Sequence, residues 1–179
     1  MRLFIAIDFN ELRGYFAELQ KFLPKNAKLG LVKSFHLTLK FLGEVQPNRV
    51  DEIIEILKTI KFEPFNVFTD SIGIFPAENC IRVVWVSLKP EDKILELQKK
   101  IDESLKNLFK KERGFEPHIT LCRAKHPEDK KSFIEEVKKI KVENKKIEIK
   151  NFRLVKSTLG HEGPVYEDLG VFSSILGFS

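Results

Sequence analysis

Cysteine is scarce in this chain: its 179 residues include only Cys80 and Cys122. Two isolated cysteines cannot build a disulfide framework, and they lack the close spacing of a metal site. No apolar run is long enough to cross a bilayer. The opening segment MRLFIAID reads as a strand and lacks the length and cleavage site of a secretory signal. We therefore expect a globular protein of the cytoplasm.

Several catalytic signatures are missing as well. The chain has no phosphate-binding P-loop and no His-Glu-x-x-His pair, and no serine or cysteine stands in a nucleophile elbow. The histidines are not accompanied by a cluster of carboxylates, which disfavours a metal hydrolase. The net charge of +5 favours a polyanionic partner such as RNA, although solvated lysines give many unrelated proteins the same balance.

What the chain does contain is one short pattern twice, as His36-Leu37-Thr38-Leu39 and His118-Ile119-Thr120-Leu121. Residues i and i+2 of a strand point to the same face, so each copy places an imidazole beside a hydroxyl. Two histidines on opposite sides of a phosphate can serve as acid and base. The two threonines can donate hydrogen bonds to its non-bridging oxygens. The pattern therefore indicates phosphodiester chemistry without a metal.

The two motifs belong to a longer internal repeat of strand, helix, strand, helix and strand. Apolar residues recur at helical spacing in 47–60 and again in 127–140, each stretch starting with a proline. We expect one bilobal α+β domain over 1–179, with units at about 1–76 and 80–158 and with 159–179 completing the sheets. A pseudo-twofold axis would then bring both motifs into a central cleft between two antiparallel-rich sheets, with the helices outside.

The sequence leaves open which face of the strand the residues after each motif occupy. Strict alternation puts Lys40 and Cys122 on the face of the motif residues, and Phe41 and Arg123 on the opposite face unless the strand ends or twists. Arg123 is the best candidate for a cation that offsets phosphate charge, because a guanidinium binds phosphate through two nitrogens. An ordinary surface arginine is an equal alternative. Phe41 is either a platform for a nucleobase or a core residue, and its chemistry alone favours the core.

At these residues the chain resembles the two-histidine phosphoesterase superfamily, and within it the RNA 2′,3′-cyclic phosphodiesterase family, also called 2′-5′ RNA ligase. The resemblance covers nearly the whole chain. Its most specific part is HLTLKFLGEV at 36–45, and it also includes RLFIAID at 2–8, GIFP at 73–76, FEPHITLCR at 115–123 and GPVY at 163–166. The family pattern implies the bilobal fold and a reaction that needs no metal or other cofactor.

The resemblance also implies roles for individual residues. His36 and His118 are the catalytic pair, Thr38 and Thr120 bind phosphate, Arg123 supports them, and Phe41 gains weight as a base-stacking residue. The expected reaction opens a terminal 2′,3′-cyclic phosphate to a 2′-phosphate. We assign His118 as the base and His36 as the acid, and the pseudo-symmetry of the motifs also allows the reverse assignment. Expected substrates are RNA ends, tRNA-derived ends among them, or nucleoside 2′,3′-cyclic phosphates, bound by a monomer with no membrane involved. Two alternatives remain: 2′-5′ ligation of RNA ends, and an RNA-binding module without catalysis.

Overall fold

Two antiparallel sheets and four α-helices make up the parts of the chain that the computed structural model describes, residues 1–77, 80–125 and 127–175. The strands are β1 (Arg2–Asp8), β2 (Lys28–Leu31), β3 (His36–Glu44), β4 (Phe65–Ala77), β5 (Cys80–Lys89), β6 (His118–Lys125), β7 (Lys146–Ile149), β8 (Asn151–Gly160) and β9 (Gly163–Ser173). The helices are α1 (Arg13–Lys21), α2 (Val50–Lys58), α3 (Asp92–Ser104) and α4 (Lys130–Lys139). The α+β fold class expected from the sequence is confirmed.

The helices follow the apolar stripes that the sequence shows. Helix α2 buries Ile53 and Leu57 behind a short 3-10 turn that starts at Pro47, as expected for a proline in the first turn. The start expected at Pro127 is wrong, because α4 begins at Lys130. Asp129 caps this helix: its side chain accepts a hydrogen bond from the Ser132 amide at 3.1 Å.

The two repeats exchange a strand. The first sheet has the order β3-β1-β8-β9 and the second has the order β2-β6-β5-β4-β7. Strand β4 therefore leaves the first repeat to pair with β5, and β8 leaves the second repeat to pair with β1. Each sheet is built from both halves of the sequence, so neither repeat can complete its sheet alone. Strand β9 extends the first sheet at its edge.

The core runs continuously beneath both sheets. Helix α1 packs against β6 and α3 packs against β3, and the inward-facing apolar side chains of these elements are buried in one cluster. The boundary expected between the repeats, residues 76–79, falls where β4 and β5 meet, and Glu78 and Asn79 lie outside the described residues. None of the helices described is long and apolar enough to cross a membrane.

Candidate active site

A β-bulge in each motif strand decides which side chains reach the site. In β3, Ala6 of β1 pairs with Thr38 whereas Ile5 pairs with Lys40, so Leu39 is an extra residue in the strand. The extra residue resets the alternation. Lys40 consequently turns into the core, where it is 2 % exposed, and Phe41 turns outward with 61 % of its surface exposed.

The second motif strand repeats this irregularity at the equivalent place. Trp85 of β5 pairs with Thr120 and Val84 pairs with Cys122, which leaves Leu121 as the extra residue. Cys122 is buried and Arg123 is exposed. The expectation from strict alternation was therefore wrong in both strands. Lys40 and Cys122 face the core, while Phe41 and Arg123 share the face of the histidines.

Different groups hold the two bulged strands from the core side. The Lys40 ammonium forms an ion pair with Asp102 of α3 and donates to the Lys110 carbonyl at 2.7 Å. On the other side, the Gln20 amide of α1 donates to the carbonyl of Leu121, the extra residue of β6, at 2.8 Å. Burying a polar group destabilises the fold unless the group is hydrogen-bonded. These buried contacts therefore hold each bulge in place.

Both motifs open into one central cleft of about 860 Å³ between the two sheets. The predicted site residues all line it: His36, Thr38, Phe41, His118, Thr120 and Arg123. The sequence had placed these residues on two strands, and the fold brings them into one space. Arg2 of β1 adds positive charge to the cleft wall, which suits an anionic ligand, whereas the ammonium of Lys156 on β8 is paired with Glu167 at 2.9 Å.

His36 lies against aromatic rings. Its imidazole is 5.1 Å from the Phe4 ring and 5.2 Å from the Tyr166 ring, measured between centroids. Burial lowers the pKa of His36 to about 4, because a charged imidazole loses its hydration there. The Asp8 carboxylate opposes this effect, whereas His118 and Arg123 add to it. In the free protein His36 is therefore neutral at pH 7.

His118 is held in a different way. Its Nδ1 lies 2.7 Å from the Glu116 carbonyl, so Nδ1 carries a proton and donates it to that oxygen. The neutral ring then has its lone pair on Nε2. Phe75 contacts the ring edge-on at 5.0 Å, and Trp85 lies 6.0 Å away. A fixed tautomer with a free Nε2 is what a general base needs.

Four aromatic residues beside the histidines were not predicted as site residues: Phe4, Phe75, Trp85 and Tyr166. Trp85 stacks on Phe75 at 4.6 Å and lies directly over Gly73, where an added Cβ would come within 2.3 Å of the indole ring. Gly73 and Phe75, like Tyr166, stand in segments that carry the family resemblance. Alternation alone gave no reason to place these rings beside the histidines.

Other reactive side chains do not join the site. Cys122 is buried, and that burial raises the pKa of its thiol to about 11, which leaves it a poor nucleophile at neutral pH. His161 lies in the exposed turn between β8 and β9, and His126 lies outside the described residues. Among residues 1–77, 80–125 and 127–175, no three His, Cys, Asp or Glu side chains are arranged to hold a metal ion.

Comparison with known proteins decides the family. The family model described as LigT like Phosphoesterase matches the chain twice, over residues 7–85 and 86–166. The chain belongs to the LigT-like phosphoesterases. The membership in the two-histidine phosphoesterase superfamily inferred from the sequence is confirmed.

Similar proteins align over almost their whole length. The chain is 40% identical to a Methanocaldococcus jannaschii protein named RNA 2′,3′-cyclic phosphodiesterase, covering 93% of this chain and 97% of the relative. A protein of the same name from Archaeoglobus fulgidus is 34% identical, covering 96% and 99%.

Solved structures share the fold. A structure of a Thermus thermophilus protein has a TM-score of 0.81 at 27% identity, covering 97% of each chain. E. coli LigT complexed with 3′-AMP has a TM-score of 0.78 at 24% identity, covering 98% of each chain. The bilobal architecture of two sheets around a cleft therefore agrees with known structures.

Proposed function

We propose that this phosphoesterase opens a terminal 2′,3′-cyclic phosphate on RNA to a 2′-phosphate, by attack of water at phosphorus. The observation that carries the proposal is the convergence of both His-x-Thr pairs on one cleft that also contains Arg123. The names of the relatives support the choice of substrate. Water forms the new P–O bond, the P–O3′ bond breaks, and O3′ leaves with a proton as the 3′-hydroxyl.

In this reaction His118 is the base and His36 is the acid. The Nδ1–H of His118 is bound to the Glu116 carbonyl, so Nε2 is free to take a proton from water. Thr38 and Thr120 donate to the non-bridging oxygens, and Arg123 offsets the charge that builds up in the transition state. The exposed ring of Phe41 stacks on the terminal base.

The acid role of His36 has a condition that can be measured. In the free protein the pKa of His36 is lowered to about 4, so the bound phosphate, an anion, must raise it before the ring can act as an acid. The profile of kcat/KM reports the free enzyme and that of kcat reports the complex. We expect kcat to require a protonated group whose pKa lies well above 4. A kcat profile without any requirement for a protonated group of pKa above 4 would refute the acid role of His36.

The reaction itself is tested with a short RNA that ends in a 2′,3′-cyclic phosphate, incubated in EDTA and analysed for the isomer of its terminal phosphate. We expect a 2′-phosphate, formed without added metal. His36→Ala and His118→Ala should each lose most of the turnover, by about 10²-fold or more for a general acid or base, while circular dichroism shows an unchanged fold. Near-normal turnover in both variants would refute the mechanism.

The same assay separates the two alternatives. Adding a second RNA with a 5′-hydroxyl would give a longer product if the chain joins ends through a 2′-5′ bond. Salt-sensitive RNA binding without any turnover would instead identify a binding module. Size-exclusion chromatography checks the expected monomer, and fractionated cells check the expected cytoplasmic location.

A further inference from the structure

A carboxylate stands directly across from the half-buried His36. Asp8, the last residue of β1, is the register partner of His36 in β3. Both residues line a second cavity of about 210 Å³, which we call the side cavity, together with Arg153, Tyr166 and Asp168. Because His36 borders both the central cleft and the side cavity, Asp8 faces it from the side away from the predicted substrate.

The Asp8 carboxylate is held from two directions. Its Oδ1 accepts a hydrogen bond from the Asn10 side-chain amide at 2.5 Å. Its Oδ2 lies 3.3 Å from a guanidinium nitrogen of Arg153, and another nitrogen of Arg153 donates to Asp168 at 2.8 Å. Arg153 is therefore shared, and its shorter contact is with Asp168. Asp8 is oriented by these partners while its charge is only partly balanced.

Charged and titratable groups approach His36 from four strands. They are Asp8 from β1, His118 and Arg123 from β6, Arg153 from β8, and Tyr166 and Asp168 from β9. Among those that act on His36 through charge, Asp8 is the anion, and it raises the pKa that burial, His118 and Arg123 lower. Asp168 is exposed and paired with Arg153, so its influence on His36 passes through Arg153.

We propose that Asp8 is a positioning residue that favours the protonated ring of His36, and that Arg153, anchored by Asp168, limits this effect. The inference rests on the proposed function, in which His36 supplies the proton to O3′. Asp8 lines the side cavity and not the central cleft, so it touches neither substrate nor the reacting atoms. Its contribution is to make the half-buried imidazole of His36 able to carry the proton when phosphate is bound.

The test measures the protonation of His36 directly, by NMR titration of the imidazole signals, with the His36 signal assigned through its loss in His36→Gln. Asp8→Asn keeps the shape of the side chain and removes its charge, so it should lower the measured pKa of His36 by about 0.5 to 1. Arg153→Gln releases the Asp8 charge and should raise that pKa by a similar amount. Opposite signs are the expected result, because a purely structural role would not separate the two variants.

A double variant sharpens the test. In an Asp8→Asn background, Arg153→Gln should leave the pKa of His36 unchanged, since Arg153 acts through Asp8. A shift in the same direction for both single variants, or no shift in either, would overturn the inference. These titrations need no substrate, so they stand apart from turnover. Absence of cyclic phosphate hydrolysis would overturn the proposed function, but the measured pKa shifts of His36 could still be interpreted.

Discussion

The two motif strands have the same backbone geometry but different side chains after the His-x-Thr pair. Strands β3 and β6 have the same His-x-Thr start and the same bulge after it. At the core-facing position β3 has Lys40 and β6 has Cys122, and at the cleft-facing position β3 has Phe41 and β6 has Arg123. After its motif, β3 thus presents an aromatic ring to the cleft and β6 presents a cation. The duplication supplied a symmetric geometry, and the unequal residues turned it into a site with two distinct sides.

The contrast between Lys40 and Cys122 predicts the largest effect, on stability. Lys40→Met removes the ammonium that pairs with the buried Asp102 and leaves that carboxylate only the Glu112 amide, which should lower the free energy of unfolding by about 3–5 kcal/mol. Cys122→Ala at the equivalent position removes only a sulfur and should cost about 1 kcal/mol. Urea denaturation measures both. Replacing both ionic partners, as Lys40→Met with Asp102→Leu, should recover much of the loss, and a double variant as unstable as Lys40→Met would contradict this account.

The burial of His36 predicts a pH dependence of stability. Its pKa is about 4 in the folded protein and about 6.5 in an unfolded chain. Between these values the unfolded state binds more protons, so stability rises with pH. Lowering the pH from 7.5 to 4.5 should therefore remove about 2.5 kcal/mol through this residue. Denaturation at both values should show a smaller loss in His36→Gln, and equal losses in both proteins would disprove the assignment.

The contrast between Arg123 and Phe41 predicts a split in kinetics. Arg123→Ala should lower kcat by about 10²-fold, because it removes charge stabilisation in the transition state. Phe41→Ala should raise KM by about tenfold and leave kcat nearly unchanged, because stacking holds substrate and transition state equally. Steady-state assays on the cyclic phosphate RNA separate the two constants. Arg123→Lys is the matched control that keeps charge and loses the planar fork. An Arg123→Ala variant changed only in KM would remove the proposed difference between the sides.

The smallest expected effect concerns the aromatic support of His118. Gly73→Ala places a Cβ against the Trp85 ring, which also stacks on Phe75. Displacing these rings should loosen His118 and lower kcat by about tenfold, with KM little changed. Gly170→Ala is a suitable control, since its Cβ meets Phe172, a ring that stacks on Phe152. Equal kinetics in Gly73→Ala and the native protein would show that the rings do not position His118.

Much of this site could be predicted from the sequence. Two His-x-Thr patterns inside a repeat were enough to pair His36 with His118 and to predict one cleft, because strand alternation and duplication fix which residues are equivalent. Helical spacing in 47–60 and 127–140 located α2 and α4 to within a few residues. The exchange of β4 and β8 between the sheets could not be predicted, because the partner of a strand depends on long-range packing that a local sequence pattern does not encode.

The sequence by itself determined the apolar patterns, the duplicated strands and the positions of the two His-x-Thr pairs that are proposed to react. Only the tertiary structure decided which way the residues after each motif point, because one extra residue in a strand reverses alternation and depends on the partner strand. It also decided the state of the histidines. Burial among Phe4 and Tyr166, which are distant from His36 in the chain, keeps His36 neutral in the free protein. The Glu116 carbonyl fixes the tautomer of His118. It is only two residues away, and the backbone conformation at the start of β6 brings it to the ring.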